Sequence, residues 1–279
     1  MNILEFTGVI AVGSFVAGFL GSITGLGGGV VIVPLLALAL GVDIRYAIGA
    51  SLVSVIATSS GAAAAYVKEG FSNVRIGIFL EIATSAGALG GAFLATRLPV
   101  TVIGVIFGVV LLYSAYHAMS AKSEHAASAP SPDPLAVRLQ MDAAYPGDHG
   151  LVAYHVHRVP MGFGLMAIAG ILSGLLGIGS GAVKVIAMDQ IMGIPFKVST
   201  ATSNFMIGVT AAASAGVYLS RGYIDPGLAM PVMLGVLVGS TVGARFLTTA
   251  RTPLLRKIFT GVISILALEM IYNSLSGKL

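Results

Sequence analysis

Two glycine-dense stretches decide how this sequence is read: Gly25-Leu26-Gly27-Gly28-Gly29 and Gly177-Ile178-Gly179-Ser180-Gly181. Each interrupts apolar sequence and is followed by an apolar run, 30–40 or 182–193, that is too short for a comfortable bilayer crossing. Glycine at this density weakens a continuous helix by about 1 kcal/mol per residue relative to alanine, and it lets backbone amides turn toward one point. Within a bilayer, unwound backbone survives only where protein covers it or where it lines a wet cavity. The runs beginning at Val30 and Ala182 therefore read as half-helices whose N-termini point inward, with partial positive charge and free N–H groups suited to an anion. The competing reading is tight helix packing. It fits the small-xxx-small pairs Gly21/Gly25, Gly87/Gly91, Gly104/Gly108, Gly170/Gly174 and Gly239/Gly243 better than it fits the two odd-spaced clusters. Neither cluster is a nucleotide loop: no G-x-G-x-x-G frame fits, and Lys184 is not followed by Ser or Thr.

The surrounding composition belongs in a bilayer. Of 279 residues, 56% are hydrophobic and 9% charged, and the mean hydropathy is +0.96, whereas soluble domains carry roughly 25% charged residues. Apolar runs near the ~20 residues that a spanning helix needs occur at about 3–24, 44–66, 75–96, 100–119, 161–176, 196–219, 227–248 and 257–275. The net charge of +4 comes from basic residues scattered between apolar runs, which argues against a nucleic-acid partner. The absence of cysteine excludes disulfides, thiolate metal sites and thiol nucleophiles. With no tryptophan, interfacial anchoring falls to nine tyrosines and the Lys/Arg residues. Hydrophobic sequence begins at Ile3 without a basic n-region, so no cleavable signal is expected.

The chain repeats. Adding 152 to the residue number aligns 17–120 with 169–272 without a gap. Gly18, Gly25, Gly27, Gly29, Gly41, Gly70, Gly87 and Gly91 fall on glycines, and Ser51, Thr58, Tyr66 and Phe107 fall on Ser203, Thr210, Tyr218 and Phe259. This divides the chain into transmembrane repeat 1 (1–120), a polar segment (121–160) and transmembrane repeat 2 (161–279). If 3–24 and 30–40 go in and come back, each repeat makes an odd number of net crossings and the copies are inverted. Ten basic residues (Lys68, Arg75, Lys122, Arg138, Arg158, Lys197, Arg245, Arg251, Arg256 and Lys257) then share one side, against four (Arg45, Arg97, Arg221 and Lys278) on the other. Even parity would divide the same residues seven and seven. The positive-inside rule selects the inverted arrangement, with both termini outside and the polar segment cytoplasmic. Alternation through Val137–Met141 and Val152–His157, around a Tyr145-Pro146-Gly147-Asp148 turn signal, predicts a small β-hairpin there.

Few polar residues lie inside the predicted spans. Lys184, three positions after the second glycine cluster, stands where repeat 1 has Ile32. A charge near the bilayer centre costs several kcal/mol, and a cation near a helix N-terminus is unfavourable unless an anion is present. Alternatively Lys184 snorkels to the interface, or pairs with Asp189 or Glu81. Glu81 stands opposite Met233 of the other repeat. A carboxylate in a bilayer is favoured in its neutral form, so Glu81 is a candidate carrier of a coupling proton, or else a structural partner for Lys184. Asn204 and Thr202, beside Ser203, add neutral donors, with Ser51 as the repeat mate of Ser203; ordinary interhelical hydrogen bonding would also account for them. His155 and His157 alternate onto one face of the predicted hairpin, but without a third ligand no metal site is expected. No metalloprotease or serine-nucleophile signature occurs, so no enzyme and no cofactor is expected.

Several of these motifs together resemble the TauE/SafE sulfite-exporter group of membrane transporters. They are Gly25-Leu26-Gly27-Gly28-Gly29-Val30-Val31-Ile32-Val33-Pro34, Ser173-Gly174-Leu175-Leu176-Gly177-Ile178-Gly179-Ser180-Gly181, Pro195 with Lys197, and Thr202-Ser203-Asn204-Phe205. The resemblance covers both repeats and implies transport of small sulfur-containing or organic anions such as sulfite and sulfoacetate. The chain departs from the commoner second motif in having Ser180 for a glycine and Ile186 where repeat 1 has Pro34, which makes the second cluster the candidate determinant of selectivity. The expectation is an all-α polytopic protein of the bacterial inner membrane, with two inverted repeats, glycine-broken helices and a cytoplasmic β-hairpin insert. An anion would sit near the midplane on the amides of Gly27, Gly28, Gly29, Gly179, Ser180 and Gly181, with Lys184 as countercharge and Ser51, Ser203 and Asn204 as donors. Expected partners are that anion, the lipid bilayer, a coupling proton and a second copy packed through Gly-rich faces. An anion channel on the same site, or a membrane scaffold or sensor working through the 121–160 hairpin, would leave the same sequence features.

Overall fold

A computed structural model of the chain describes residues 3–24, 28–68, 70–120, 133–147, 150–247 and 252–278. Repeat 1 contains α1 (Ile3–Thr24), α2 (Gly29–Pro34), α3 (Ile44–Lys68), α4 (Val74–Ala95) and α5 (Val100–Ser120). The insert contains α6 (Pro134–Arg138), β1 (Ala143–Gly147) and β2 (Gly150–Tyr154). Repeat 2 contains α7 (Val159–Leu176), α8 (Gly181–Ile186), α9 (Phe196–Ser220), α10 (Pro226–Leu247) and α11 (Thr252–Leu275). The 152-residue register carries α2, α3 and α4 onto α8, α9 and α10 residue for residue. It also carries the π-helical turn Leu35–Ala39 onto a second at Ala187–Ile191. The left-handed glycines Gly41 and Gly70 (φ 64° and 77°) have mates in Gly193 and Gly222 (φ 70° and 74°).

Helices α1, α3, α4, α5, α7, α9, α10 and α11 have 18 to 25 residues, or about 27–38 Å, enough for a hydrocarbon core of ~30 Å. Helix α2 with its π turn, and α8 with its own, run eleven residues each, Gly29–Ala39 and Gly181–Ile191. At about 16 Å they reach half-way. The polarity is that of a body surrounded by lipid. Exposed positions are apolar, as at Val12 (66%), Ile82 (62%) and Leu268 (59%), while Ser51, Ser54, Thr84, Ser173, Ser199, Thr202, Ser203, Thr210 and Ser214 are buried. In water that distribution would leave apolar surface unpaid by burial; in lipid it costs nothing.

Close backbone approach holds the bundle together, as expected where no hydrophobic effect drives helices together. Along α4 and α7, a Cβ added at Gly87, Gly91, Gly170 or Gly174 would overlap the carbonyl oxygen of Ala167, Ile171, Thr84 or Ala88 respectively. The repeat-related pair α1 and α10 uses the same device, with Gly18 on the Val236 carbonyl and Gly239 on that of Phe15. Of the small-xxx-small pairs predicted from sequence, Gly87/Gly91 and Gly170/Gly174 therefore pack helices through both members, and Gly108 and Gly239 do so from theirs. Helices α3 and α9 run antiparallel. Gly49 near the start of α3 meets Tyr223 beyond the end of α9 and Gly208 meets Ser59, while the Asn73 amide beyond α3 donates to Thr202 near the start of α9 (3.0 Å).

The insert differs from its prediction in detail. Residues 134–138 are helical, not a strand, because Asp133 caps the Leu135 amide (2.9 Å) with Pro134 at the first helical position. The hairpin pairs Ala143–Gly147 with Gly150–Tyr154, so Tyr145 and Pro146 lie in the first strand and not in the turn. Proline is tolerated there because a two-stranded ribbon has only edges; Asp148 is outside the described residues. The insert is tied to both repeats. Asn73, which caps α4, donates to the Met141 carbonyl (3.0 Å) and the Tyr154 hydroxyl (2.8 Å), and the His157 amide donates to the Met192 carbonyl (2.9 Å). Its Met141, Tyr154 and Val156 share a buried cluster with Ile76, Met192 and Ile194.

The glycine seam sets a clear contrast. Gly174→Val should cost at least about 1–3 kcal/mol by overpacking. Gly90→Ala, whose added methyl meets nothing within 4 Å, should stay within about 1 kcal/mol of the parent or exceed it. Denaturant unfolding in detergent measures both.

Candidate functional site

In repeat 2 the chain leaves helical geometry where the sequence indicates. Helix α7 ends at Gly177 (φ 67°), and the link to α8 passes through Gly179 (φ 70°) and Ser180 (φ 46°), all left-handed. Glycine adopts that conformation freely; a serine there costs roughly 1–2 kcal/mol. The whole segment from Gly177 to Gly181 is buried. In repeat 1, Gly28 is right-handed (φ −65°, ψ −23°) and already leads into α2; Gly25, Leu26 and Gly27 lie outside the described residues. Of the predicted first cradle, then, Gly28 and Gly29 begin a helix.

The two interruptions meet. A Cβ on Gly29 would come within 2.7 Å of Ser51 Oγ and 3.1 Å of the Gly177 carbonyl oxygen, and Ser51 Oγ donates to that same carbonyl (2.8 Å). Ser51 on α3 thus joins the start of the first half-helix to the break before the second. Its repeat mate Ser203 on α9 donates to the Gly181 carbonyl (3.4 Å). Val55 and Ile207, also repeat mates, flank Gly179. Asn204, next along α9, is half-buried. Gly29, Ser51, Gly179, Ser180, Gly181 and Ser203 therefore converge around α3 and α9, while Gly28 faces Val236 on α10 and Gly18 on α1. Ser180 Oγ is buried there and makes no hydrogen bond.

Lys184 is fully buried, and its amine is engaged by side chains of two other helices. Its Nζ donates to Thr210 Oγ1 (2.6 Å) on α9 and lies 4.0 Å from Glu81 Oε2 on α4. Thr210 Oγ1 in turn reaches Glu81 Oε1 (2.7 Å), with the Met206 carbonyl at 2.9 Å as its other acceptor. Ser85 Oγ also donates to Glu81 Oε1 (2.7 Å). Ile207 packs on Gly181, and Thr210 is almost a turn further along α9. The amine thus extends back toward the first turn of α8, the direction in which helical side chains point. Of the alternatives weighed for Lys184, snorkelling to the interface is overturned by its complete burial, and a pair with Glu81 forms.

Thr210 and Ser85 were not among the residues singled out from sequence. Thr210 lies seven residues from Ser203, on the same face of a helix, which is a usable signal. The sequence also carries a signal for the pair, because Lys184 and Glu81, the two buried charges among the described residues, have apolar repeat mates in Ile32 and Met233. His155 makes an exposed contact with Asp142 (3.0 Å), and among the described residues no cluster of three His, Asp or Glu could hold a metal.

Long apolar helices with lipid-facing apolar surfaces, two half-length helices, and a polar interior where the repeats meet define a polytopic membrane transporter. The chain belongs to the sulfite exporter TauE/SafE family, whose profile matches residues 10–270. It is similar to two proteins of Bacillus subtilis (strain 168): the probable membrane transporter protein YunE (27% identity, covering 96% of this chain and 98% of that one) and the probable membrane transporter protein YdhB (25%, 83% and 86%). It is also similar to the probable membrane transporter protein ORF9 of Sinorhizobium sp (24%, 93% and 90%). No solved structure matches significantly.

Removing one member of a buried pair strands the other charge, at about 3–5 kcal/mol, whereas replacing both with apolar residues is often neutral. Lys184→Ile and Glu81→Met should each lower unfolding stability by that order. The double variant, which copies the residues of the other repeat, should recover most of the loss.

Proposed function

We propose that this protein moves small anions, sulfite or organosulfonates such as sulfoacetate, across the bacterial inner membrane by alternating access. The anion site lies near the bilayer midplane, between the two half-helix starts. The observation that carries this reading is the meeting of the two interruptions at Ser51, where Gly29 abuts the Gly177 carbonyl. Backbone amides of Gly27–Gly29 and Gly179–Gly181 bind the anion, Ser51, Ser203 and Asn204 donate to it, and Lys184 supplies countercharge. Glu81 carries a coupling proton.

The two repeats are inverted copies that rock against each other about α3 and α9. The antiparallel run of those helices supports this, as does the match between the α1–α10 and α4–α7 seams. Both termini face the periplasm and the insert faces the cytoplasm, which follows from the ten-to-four distribution of basic residues. Small, singly or doubly charged oxyanions suit a site built from amides and hydroxyls and not from a wide apolar pocket. A homodimer packed through Gly-rich faces is part of the same reading.

A panel of sulfite, thiosulfate, sulfonates and carboxylates, tested for thermal stabilisation of the purified protein, addresses the substrate class. An anion at 100 times its Kd adds about 2.7 kcal/mol. Sulfur oxyanions or sulfonates should raise the transition while matched carboxylates and chloride do not; equal effects from all anions, or none, would contradict the assignment. In proteoliposomes, saturable uptake stimulated by the same anion on the far side is expected, and single-channel currents are not.

A further inference from the structure

Glu81 is an incompletely satisfied carboxylate. Its Oε1 accepts from Thr210 and Ser85, but its buried Oε2 accepts no hydrogen bond and faces only the Lys184 amine at 4.0 Å. A bare carboxylate oxygen held out of water is an expensive arrangement for a purely structural ion pair, in which the remaining lone pairs are ordinarily satisfied. Three elements present this cluster: Glu81 and Ser85 from α4, Lys184 from α8, and Thr210 from α9. The other ionisable residues of those elements and their neighbours are Arg75 at the start of α4, Asp189 in the π turn after α8, Lys197 and Tyr218 toward the two ends of α9, and, on α3 packed against α9, Arg45 and Tyr46 at its start and Tyr66 and Lys68 near its end; α7 carries none. The repeat-related positions Ile32, Thr58 and Met233 keep the threonine and lose both charges.

We propose that Glu81 is a built-in anion that competes with the transported one for Lys184, so that repeat 2 accepts its cargo only when a proton neutralises Glu81. This rests on the anion-transport reading above and sets its regulation and stoichiometry. With an ammonium on Lys184 and a carboxylate on Glu81 the empty cluster is neutral. A proton from the aqueous side forms an O–H bond at Oε2, the oxygen without a partner; no bond breaks, and Oε1 keeps its contacts with Thr210 and Ser85. The cluster then has a net charge of +1, carried by Lys184, and a monovalent anion restores neutrality. One proton therefore accompanies each monovalent anion, and the buried site is neutral both empty and loaded. An uncompensated charge there would cost several kcal/mol, so the intermediate with one charge only is the state that is avoided, which is what couples the two ions. Thr210 bridges the pair in the empty state and holds the lysine amine in place in the loaded one.

The sign of the pH effect follows. Binding takes up a proton at Glu81, so affinity is highest at low pH and falls as pH rises, by up to about tenfold per pH unit for one linked proton. Methanesulfonate is a suitable probe, since its own charge is constant over the range. Titration calorimetry of the full-length protein in buffers of different ionisation enthalpy counts the protons taken up. The expected result is up to about one proton taken up per methanesulfonate, with affinity that declines as pH rises. Glu81→Gln should bind methanesulfonate with pH-independent affinity, tighter than the parent at high pH, and without proton uptake. The parent's proton count stands alone should that variant fail to fold. Binding by the parent with no proton uptake and no pH dependence would overturn this inference while leaving an anion site in place. Absence of methanesulfonate binding at every pH would overturn it together with the anion-transport reading.

Discussion

Backbone that leaves helical geometry in the middle of a bilayer has no water to satisfy it, and most of this structure can be read as a response to that constraint. Between Leu176 and Gly181 the chain runs through three left-handed residues, and its exposed carbonyls need partners from elsewhere in the protein. Ser51 supplies one for Gly177. That contact requires α3 to lie directly against the break, and Gly29, without a side chain, lets the start of α2 come equally close. Tyr218, buried on α9, donates to the Gly174 carbonyl in the last turn of α7 (3.1 Å). The half-length helices, the central position of α3 and α9, and the glycine seams that bring α7 and α1 up against α4 and α10 all serve to wrap protein around an unwound segment.

Much of this is legible in the sequence because the signals are those of backbone chemistry. Gly41, Gly70, Gly193 and Gly222 recur at the 152-residue spacing because each adopts a positive φ after a helical segment. Gly87, Gly91, Gly170 and Gly174 are glycine because a carbonyl occupies the place of a Cβ. The half-helix spans fell within two residues of 29–39 and 181–191. The insert was less legible. Alternating Val137, Leu139 and Met141 suggested a strand, but Asp133 and Pro134 start a helical turn, and a local cap outweighs a short period-two pattern.

Side-chain partners were the least legible part. Sequence placed Lys184 beside the glycine cluster and Glu81 in a distant span, and offered their pairing as one alternative among several. It did not reveal that Thr210 stands between them, because that depends on how α4, α8 and α9 pack. The two repeats have diverged at this point: each carries one of the charges, Glu81 in the first and Lys184 in the second, and an apolar residue, Ile32 or Met233, at the position matching the other's charge. Duplication supplies the scaffold, and one charge in each half, at non-equivalent positions, meets the other in a single buried pair.

The central claim is that the junction of the two interruptions is a protein-lined site that favours negative charge within the membrane. The chain has no cysteine, so a single thiol placed by Ser203→Cys can be probed with matched anionic and cationic thiosulfonate reagents that do not cross lipid. Faster modification by the anionic reagent, slowed by the anion that stabilises the protein, is the predicted result. Equal rates for the two reagents without protection by any anion, or no modification from either side, would contradict it.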